Sequence, residues 1–584
     1  MTLRWYWIGI FAVFVACVPL FAWDHPFYCD WPNHLGMIGY VGEYLKAHAG
    51  LPSTIDTNVV VGRATPMFYG NLYFPILGSL SAMFGPRAAV TIGAAVMLLF
   101  QFAGVRALVK DVSRDEAVAC AAAVVVTWSI YPLTDLYNRS ALTEFFAITA
   151  LQTGTCFWAF YARDPARRER TSIIAGLFVT LGAGFHPPTA LFGGLTFGVF
   201  WLASFIWCPD RKRVFLRSLA IAGAAAVVLA PWLYVLAKFG KQIQITGTGL
   251  WWFHTSLDMA ITRLSPFPWP GPEMSVVSTP NLDPQITVGL GVAVVLLGIV
   301  ALVARARDRR ARGAFAFAAL CLAATVFLFV LSVSEPAWKW VPKSFTIVQF
   351  PYRLVAFIDM AALGALTGVL AALMREDGHV APSRAVLAVA VVVAAFGVGL
   401  KLPRCLQSPA PLDAVVTDYM NPPRDWYFGY EDYSTAGAFV AVDAAQPKEP
   451  IKLVVGAPKR GFGIVNPTHI RAAKRTQIST NVQAFPWNLL TVDGHPVKHD
   501  ATLVDGLRLA TWVDAGEHDI GYTFKPDRTW LALRRLALAL FVFWGLIAAF
   551  GPVLARRISW RPMPYRFFLR SSDSRVAGRD STIS

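Results

Sequence analysis

Four short polar segments interrupt an otherwise apolar chain, and their residue types suit proton transfer and anion binding. The first reads Asp24-His25-Pro26-Phe27-Tyr28-Cys29-Asp30-Trp31-Pro32-Asn33-His34. Asp30 and His34 are four positions apart, so a helix that begins by Pro32 can turn both to one side near its N-terminus. A carboxylate beside an imidazole can take a proton from a hydroxyl, and the two could also share a divalent ion. The same spacing fits a plainer arrangement in which Asp30 caps the helix and His34 lies on its surface. The second segment, Tyr131 to Glu144, carries Tyr137, Arg139 and Glu144 between two apolar runs. Ionisable groups at a membrane mark a polar cavity or a partner, and Arg139 and Glu144 could simply pair with each other.

The third segment is Phe185-His186-Pro187-Pro188, where two prolines end one helix and start the next. His186 is there either a satisfied turn residue or a ligand. The fourth comprises Glu335, Trp338, Lys339 and Lys343, then Gln349-Phe350-Pro351-Tyr352-Arg353-Leu354 at the head of an apolar run that also contains Asp359. An arginine there can snorkel to water, or its planar fork can clamp a phosphate. Two aromatic stretches, Gly249 to His254 and Pro266 to Pro270, read as interface anchors, with stacking on a sugar ring as the sharper alternative.

The elements that must hold these segments are membrane helices. Apolar residues make up 55% of 584 positions and charged residues 15%, and the mean hydropathy is +0.49, well outside the range of soluble domains. Stretches of about 20 apolar residues, enough to cross the hydrocarbon core, recur along the chain. About 12 spans are expected, near 5–23, 87–109, 115–132, 143–162, 171–187, 189–207, 215–237, 285–305, 313–334, 351–374, 384–403 and 528–551.

Lys and Arg collect at 106–114, 163–170, 211–217, 305–312 and 556–561. Short loops rich in these residues stay cytoplasmic, which puts both termini inside and leaves the apolar stretch Leu72–Phe84 as a juxtamembrane or re-entrant helix outside. The first span could also be a cleaved signal peptide, but its removal would spoil the even parity. The net charge of +16 follows from these topology signals and from anionic membrane lipids on the cytoplasmic face, and needs no nucleic-acid partner. Four of the seven cysteines lie in apolar spans and Cys208 at a cytoplasmic end; Cys29 and Cys405 either pair or stay as two separate thiols.

The long polar stretches, 24–86, 238–284, 335–350 and 404–527, all fall outside, where loops on a rigid scaffold carry function. Residues 1–403 thus read as the membrane domain and 404–527 as an extracytoplasmic β-sandwich-like domain. A final helix over 528–551 and a basic, disordered cytoplasmic tail over 552–584 complete the chain. Short β-type runs at Ile451–Val455, Thr476–Val482, Leu489–Val492 and His518–Phe524 are joined by turn signals at Asp493-Gly494 and Asp505-Gly506. This domain either binds sugar or roofs the membrane part, and the roof is the simpler role. Walker, Rossmann, zinc-cysteine and nucleophile-elbow motifs do not occur, which sets aside nucleotide hydrolysis and soluble-cofactor chemistry. There is no internal repeat of the kind many secondary transporters show.

Taken in order, Asp30-x-x-x-His34, Tyr69 with Tyr73-Phe74-Pro75, Tyr137-x-Arg139-x-Ala141-x-x-Glu144, His186-Pro187 and Gln349-Phe350-Pro351-Tyr352-Arg353 resemble one family. It is the bacterial group labelled 6-pyruvoyl-tetrahydropterin-synthase-related membrane proteins, whose architecture is similar to GT-C glycosyltransferases. No zinc histidine set of a pterin synthase is present. The resemblance implies a GT-C-like fold and a polyprenyl-phosphate-linked sugar donor. It implies an acceptor hydroxyl on an extracytoplasmic glycan or lipid, and an acidic base in the first outer loop. That base would be Asp30, with Asp24 as second candidate and His34 as neighbour. Arg353, Arg139 and Lys339 would hold the donor phosphate, supported by Glu144, His186, Gln349 and Tyr137. No Asp-x-Asp pair occurs in the first loop, so a divalent metal stays an open question and no other cofactor is implied. The competing reading is a lipid-linked glycan transporter or a non-catalytic envelope-assembly subunit with Arg139, Arg353 and Asp359 along a path. A member that binds lipid phosphate without turnover is a third.

Overall fold

The computed structural model describes residues 4–21, 31–57, 60–137, 141–241, 312–348, 351–373, 450–455, 465–501 and 508–557, with short pieces between 388 and 402. Outside them lie the aromatic stretches 249–254 and 266–270, the expected span 285–305, the segment 404–449, Cys29 and Cys405, the Asp505-Gly506 turn and the tail beyond 557. The described helices are α1 (Trp5–Cys17), α2 (Trp31–His48), α3 (Thr65–Phe68), α4 (Tyr73–Phe84), α5 (Pro86–Ser113), α6 (Glu116–Thr127) and α7 (Ile130–Tyr137). They continue with α8 (Leu142–Arg163), α9 (Glu169–Phe185), α10 (Pro187–Trp207), α11 (Arg211–Phe239), α12 (Arg312–Val333), α13 (Val355–Leu373) and α14 (Arg528–Arg557).

Local chemistry sets several of the helix starts. Asp115 caps α6 by accepting from the amides of Ala117 at 2.8 Å and Val118 at 3.2 Å. Asp210 caps α11 through Arg213 N at 3.0 Å. Pro86 stands in the first turn of α5, where its missing N–H costs nothing.

Among the described residues four helices are long and apolar enough to cross a membrane, Pro86–Ser113, Pro187–Ile206, Arg211–Phe239 and Arg528–Gly551. A fifth is reached if α6 and α7, bent by 40°, count as one broken span. Twelve spans are thus not reproduced there, and α8 gives a physical reason. It is 22 residues long but carries Thr143, Glu144, Thr149, Gln152, Thr153 and Thr155, all buried against other helices. Thr149 and Thr153 return their hydroxyls to carbonyls four residues back, and Gln152 accepts from Gln101 of α5. A helix surrounded by protein can satisfy polar groups that lipid would not. Backbones come close on its α9 side, where a Cβ on Gly154 would meet Val179 N at 2.9 Å. Two boundaries also shift from the sequence expectation: α1 ends at Cys17 before a 3-10 turn over Val18–Phe21, and Pro351–Leu354 is a 3-10 turn before α13.

The three basic clusters at 106–114, 163–170 and 211–217 gather at one end of the bundle. Asp111 bridges Arg163 and Arg168, Glu116 meets Arg106 at 2.6 Å and Lys110 at 2.5 Å, and Arg217 meets Glu169 at 3.5 Å. The other end carries the strands. Among the described residues ten strands, β1 (Pro450–Ile451), β2 (Val454–Val455), β3 (Val465–Asn466), β4 (Thr468–Ala472), β5 (Thr476–Gln483), β6 (Asn488–Val492), β7 (His495–Pro496), β8 (Asp500–Ala501), β9 (Arg508–Val513) and β10 (Gly516–Phe524), form two four-stranded sheets, in the orders β1-β5-β9-β8 and β4-β10-β6-β7, and a two-stranded piece, β2-β3. The longest are β5, of eight residues, and β10, of nine. Ile478, Val482, Leu490, Leu509, Val513 and Ile520 from both sheets share one buried apolar core. Asp493 (φ 53) and Gly494 (φ 79) form the tight turn that pairs Val492 with His495, as the Asp-Gly signal predicts.

This sheet pair is hydrogen-bonded to the first polar loop rather than resting on it. Val61 lies parallel to β5, donating to Asn481 O at 2.9 Å and accepting from Gln483 N at 2.8 Å. Ala64 N donates to Gln483 Oε1 at 2.8 Å, and Asn488 Nδ2 donates to Gly62 O at 2.8 Å. Gly62 has φ +70, and a Cβ there would meet Asn488 Nδ2 at 2.5 Å, so both conformation and contact require glycine. Beneath, Met67, Phe68, Phe239, Phe485, Trp487 and Trp530 weld α3, α11, the β5–β6 turn and α14 into one cluster.

Candidate functional site

The strand-bearing end of α8 collects polar side chains from four separate stretches of sequence. Glu144, in the first turn of α8, is 1% exposed, and its Oε2 lies 3.0 Å from Nε of Arg353, itself 11% exposed. Tyr131 of α7 donates to Glu144 Oε1 at 2.8 Å, and Arg353 Nη1 donates to Val348 O at 2.9 Å. Arg353 therefore does not snorkel to water. Burial removes both charges from solvent, a cost that the close pair offsets together with the bonds from Tyr131 to Glu144 and from Arg353 to Val348 O.

Two local breaks in helical geometry make the arrangement. The α6–α7 break at Trp128-Ser129 turns Tyr131 toward Glu144, and it brings Ser129 Oγ to donate to Asp359 Oδ2 of α13 at 3.0 Å. Trp128 Nε1 donates to Ala12 O at 2.8 Å, anchoring the break on α1. The 3-10 turn over Pro351–Leu354 sets Arg353 just ahead of α13.

The cluster extends sideways. Thr143, next to Glu144, hydrogen-bonds through its hydroxyl to that of Tyr69 in the α3–α4 connection. Tyr69 packs edge-on to His186 with ring centroids 5.7 Å apart. His186 caps α10: its Nδ1 accepts from Thr189 N at 3.4 Å and lies 2.7 Å from Thr189 Oγ. Tyr137 donates to Ala16 O at 2.6 Å, tying α7 to the end of α1. Lys339 is exposed in a 3-10 turn over Glu335–Trp340. Glu144, His186 and Arg353 thus come together, with Tyr69, Tyr131 and Thr143. Asp24, Asp30, Arg139 and Gln349 lie outside the described residues.

His34 is not a surface residue: it is 3% exposed, its ring 6.4 Å from that of Phe74 and 5.6 Å from that of Tyr73. Tyr73 in turn packs on Phe185, the neighbour of His186, at 6.1 Å. Burial pushes the His34 pKa down to about 3, so the imidazole is neutral at physiological pH. Trp31, the first residue of α2 and the neighbour of Asp30, is buried as well.

Sequence reasoning missed Asp56. It is 5% exposed and accepts from Gly62 N at 2.7 Å and from Tyr40 OH at 3.4 Å. Burial pushes its pKa up to about 6, against the lowering effect of those two bonds. Its signal in the sequence is the Asp56…Gly62 spacing, which resembles an ordinary polar turn and becomes distinctive only with β5 across it. Among the described residues no three His, Cys, Asp or Glu side chains are grouped to hold a metal ion.

No family model and no curated protein matches the sequence. The arabinofuranosyltransferase AftD from Mycobacteria aligns with 70% of this chain and 27% of its own, at 15% identity and a TM-score of 0.42. The present chain therefore corresponds to about a quarter of that enzyme's length. ArnT from Cupriavidus metallidurans, solved bound to undecaprenyl phosphate, aligns with 62% of this chain and 77% of its own, at 10% identity and a TM-score of 0.31. An oligosaccharyltransferase from Archaeoglobus fulgidus, solved with zinc and sulfate, aligns with 73% of this chain and 57% of its own, at 14% identity and a TM-score of 0.36. At these scores no residue takes its role from them.

Proposed function

We propose that this protein is an integral membrane glycosyltransferase that moves a sugar from a polyprenyl-phosphate-linked donor to an acceptor hydroxyl outside a bacterial cytoplasmic membrane. The observation that carries the reading is the buried Arg353–Glu144 pair at the strand-bearing end of the bundle, with Tyr131, Thr143, Tyr69 and His186 around it. Structural ion pairs rarely gather three further hydroxyls and an imidazole at the end of a membrane bundle, and such clusters favour a functional site.

In this reading both termini are cytoplasmic and the strands face the periplasmic side. Asp30, placed immediately before α2, takes the proton of the acceptor hydroxyl; Asp24 is the alternative base, and His34 shapes the wall behind it. The acceptor oxygen forms a bond to the anomeric carbon while the bond from that carbon to the phosphate oxygen breaks. Polyprenyl phosphate leaves carrying the electron pair. Arg353, Arg139 and Lys339 stabilise the charge that develops on the phosphate, and cations aimed at that position are worth several kcal/mol. Glu144 holds Arg353 in orientation, with Gln349, His186 and Tyr137 in support.

The test is transfer from a lipid-linked sugar by the full chain in proteoliposomes. Asp30→Ala and Arg353→Ala, each inserted at wild-type levels, should both lose turnover. Undiminished transfer by both variants would sink the assignment.

A further inference from the structure

Between them α4, α11 and α14 enclose a groove of about 440 Å3. Its walls are Ile76 and Leu80 of α4, Val228 and Trp232 of α11, and Leu538 and Phe541 of α14. One charged side chain, Arg534, stands among these lining residues. Nη1 of Arg534 donates to Ser53 Oγ at 2.5 Å, and Nη2 donates to Leu51 O at 3.0 Å and Pro52 O at 2.7 Å. The guanidinium also lies 5.1 Å from the ring centroid of Trp530. Among the described residues these partners are all neutral, so the charge is held in place without an anion.

We propose that this groove binds one anionic phospholipid, its headgroup phosphate on Arg534 and an acyl chain along α4, α11 and α14. Three observations support it. A cation in an apolar wall is costly without a counter-charge, and among the described residues no acidic side chain is bonded to it. The three hydrogen bonds leave the Nε–H and one Nη1–H of the guanidinium unspent, and each can donate a charge-assisted hydrogen bond to a phosphate oxygen. Arg534 lies near the strand-bearing start of a long apolar helix, with Trp530 one turn earlier, which is the depth at which aromatic belts and headgroups meet. A bound lipid would also brace residues 51–53, the stretch of chain that leads into the Val61 pairing with β5. The inference does not depend on glycosyl transfer.

The experiment is native mass spectrometry of the full chain purified in detergent, titrated with dioleoylphosphatidylglycerol, dioleoylphosphatidylcholine or inorganic phosphate. Wild type should retain phosphatidylglycerol about tenfold more strongly than phosphatidylcholine, and Arg534→Gln should erase the difference, the scale expected for charge-assisted hydrogen bonds. Leu538→Trp keeps the arginine and changes a position that is 47% exposed. It should fill the groove and cut phosphatidylglycerol retention by a similar factor, which keeps the idea testable if Arg534→Gln does not fold. Equal retention of both lipids by wild type, unchanged preference in either variant, or competition by inorganic phosphate alone at the lipid concentration would overturn the proposal.

Discussion

At the scale of single residues, Arg353 and Glu144 are the informative pair. The acid is 1% and the cation 11% exposed, so each depends on the other. Arg353→Ala should lower stability by about 3–5 kcal/mol by stranding a buried carboxylate. Arg353→Gln combined with Glu144→Gln should recover most of that loss in a thermal unfolding assay while transfer stays absent. Recovery of transfer as well would make the pair purely structural. Asp56 gives a pH prediction. Its folded pKa of about 6 lies above the ordinary 3.8, so the fold favours the protonated acid. Below about pH 4 the carboxyl is neutral folded or unfolded and imposes no penalty; the penalty grows between pH 4 and 6 and is complete above, about 3 kcal/mol. Asp56→Asn should therefore gain melting temperature relative to wild type as pH rises through this window and then hold a constant difference. A difference that does not change with pH would remove Asp56 as the titrating group.

At the scale of elements, the first polar loop and the sheets form one unit. The Val61 strand pairing, Asn488 and Gln483 tie residues 61–64 to β5 and the start of β6. Gly62→Ala would place a Cβ against Asn488 at a positive φ, a change expected to cost about 1–3 kcal/mol. Hydrogen–deuterium exchange should report it as faster exchange at Val61 and Gln483, whose amides bridge the two segments, with the helical core unaffected. Unchanged protection at those amides would show that the loop docks by other means. The β-strand runs were legible because alternation and an Asp-Gly turn are local signals, and β5, β6 and β10 fall within a few residues of the expected runs. The pairing of β5 with a loop from the other end of the chain was not, since a short strand of ordinary residues does not specify its partner.

At the scale of the whole molecule, the described basic clusters, at 106–114, 163–170 and 211–217, and the sheets occupy opposite ends of the bundle, so a single topology experiment tests the orientation. Lys474, in the exposed β4–β5 turn, and Lys212, exposed at the start of α11, mark the two ends. Lys474→Cys should react with a membrane-impermeant maleimide in intact spheroplasts, and Lys212→Cys only after permeabilisation. The reverse pattern would place the sheets in the cytoplasm and remove the proposed outer site. The five described cysteines are all buried, and replacing Cys29 and Cys405 with serine keeps the labelling background low.

The sequence by itself determined that the chain is built from apolar helices, that its positive charge is concentrated in short clusters, and that a β-rich part precedes a last helix. Composition, period and turn chemistry are carried by neighbouring residues, so no fold is needed to read them. Tertiary structure alone decided that Glu144 takes Arg353 as partner, that His34 is buried and neutral, that Asp56 is desolvated beneath the sheets, and that Arg534 faces an apolar groove. Each of these depends on which distant segments share a small volume and exclude water from it. Burial sets the energy of a charge, and burial belongs to the packed chain rather than to any stretch of it.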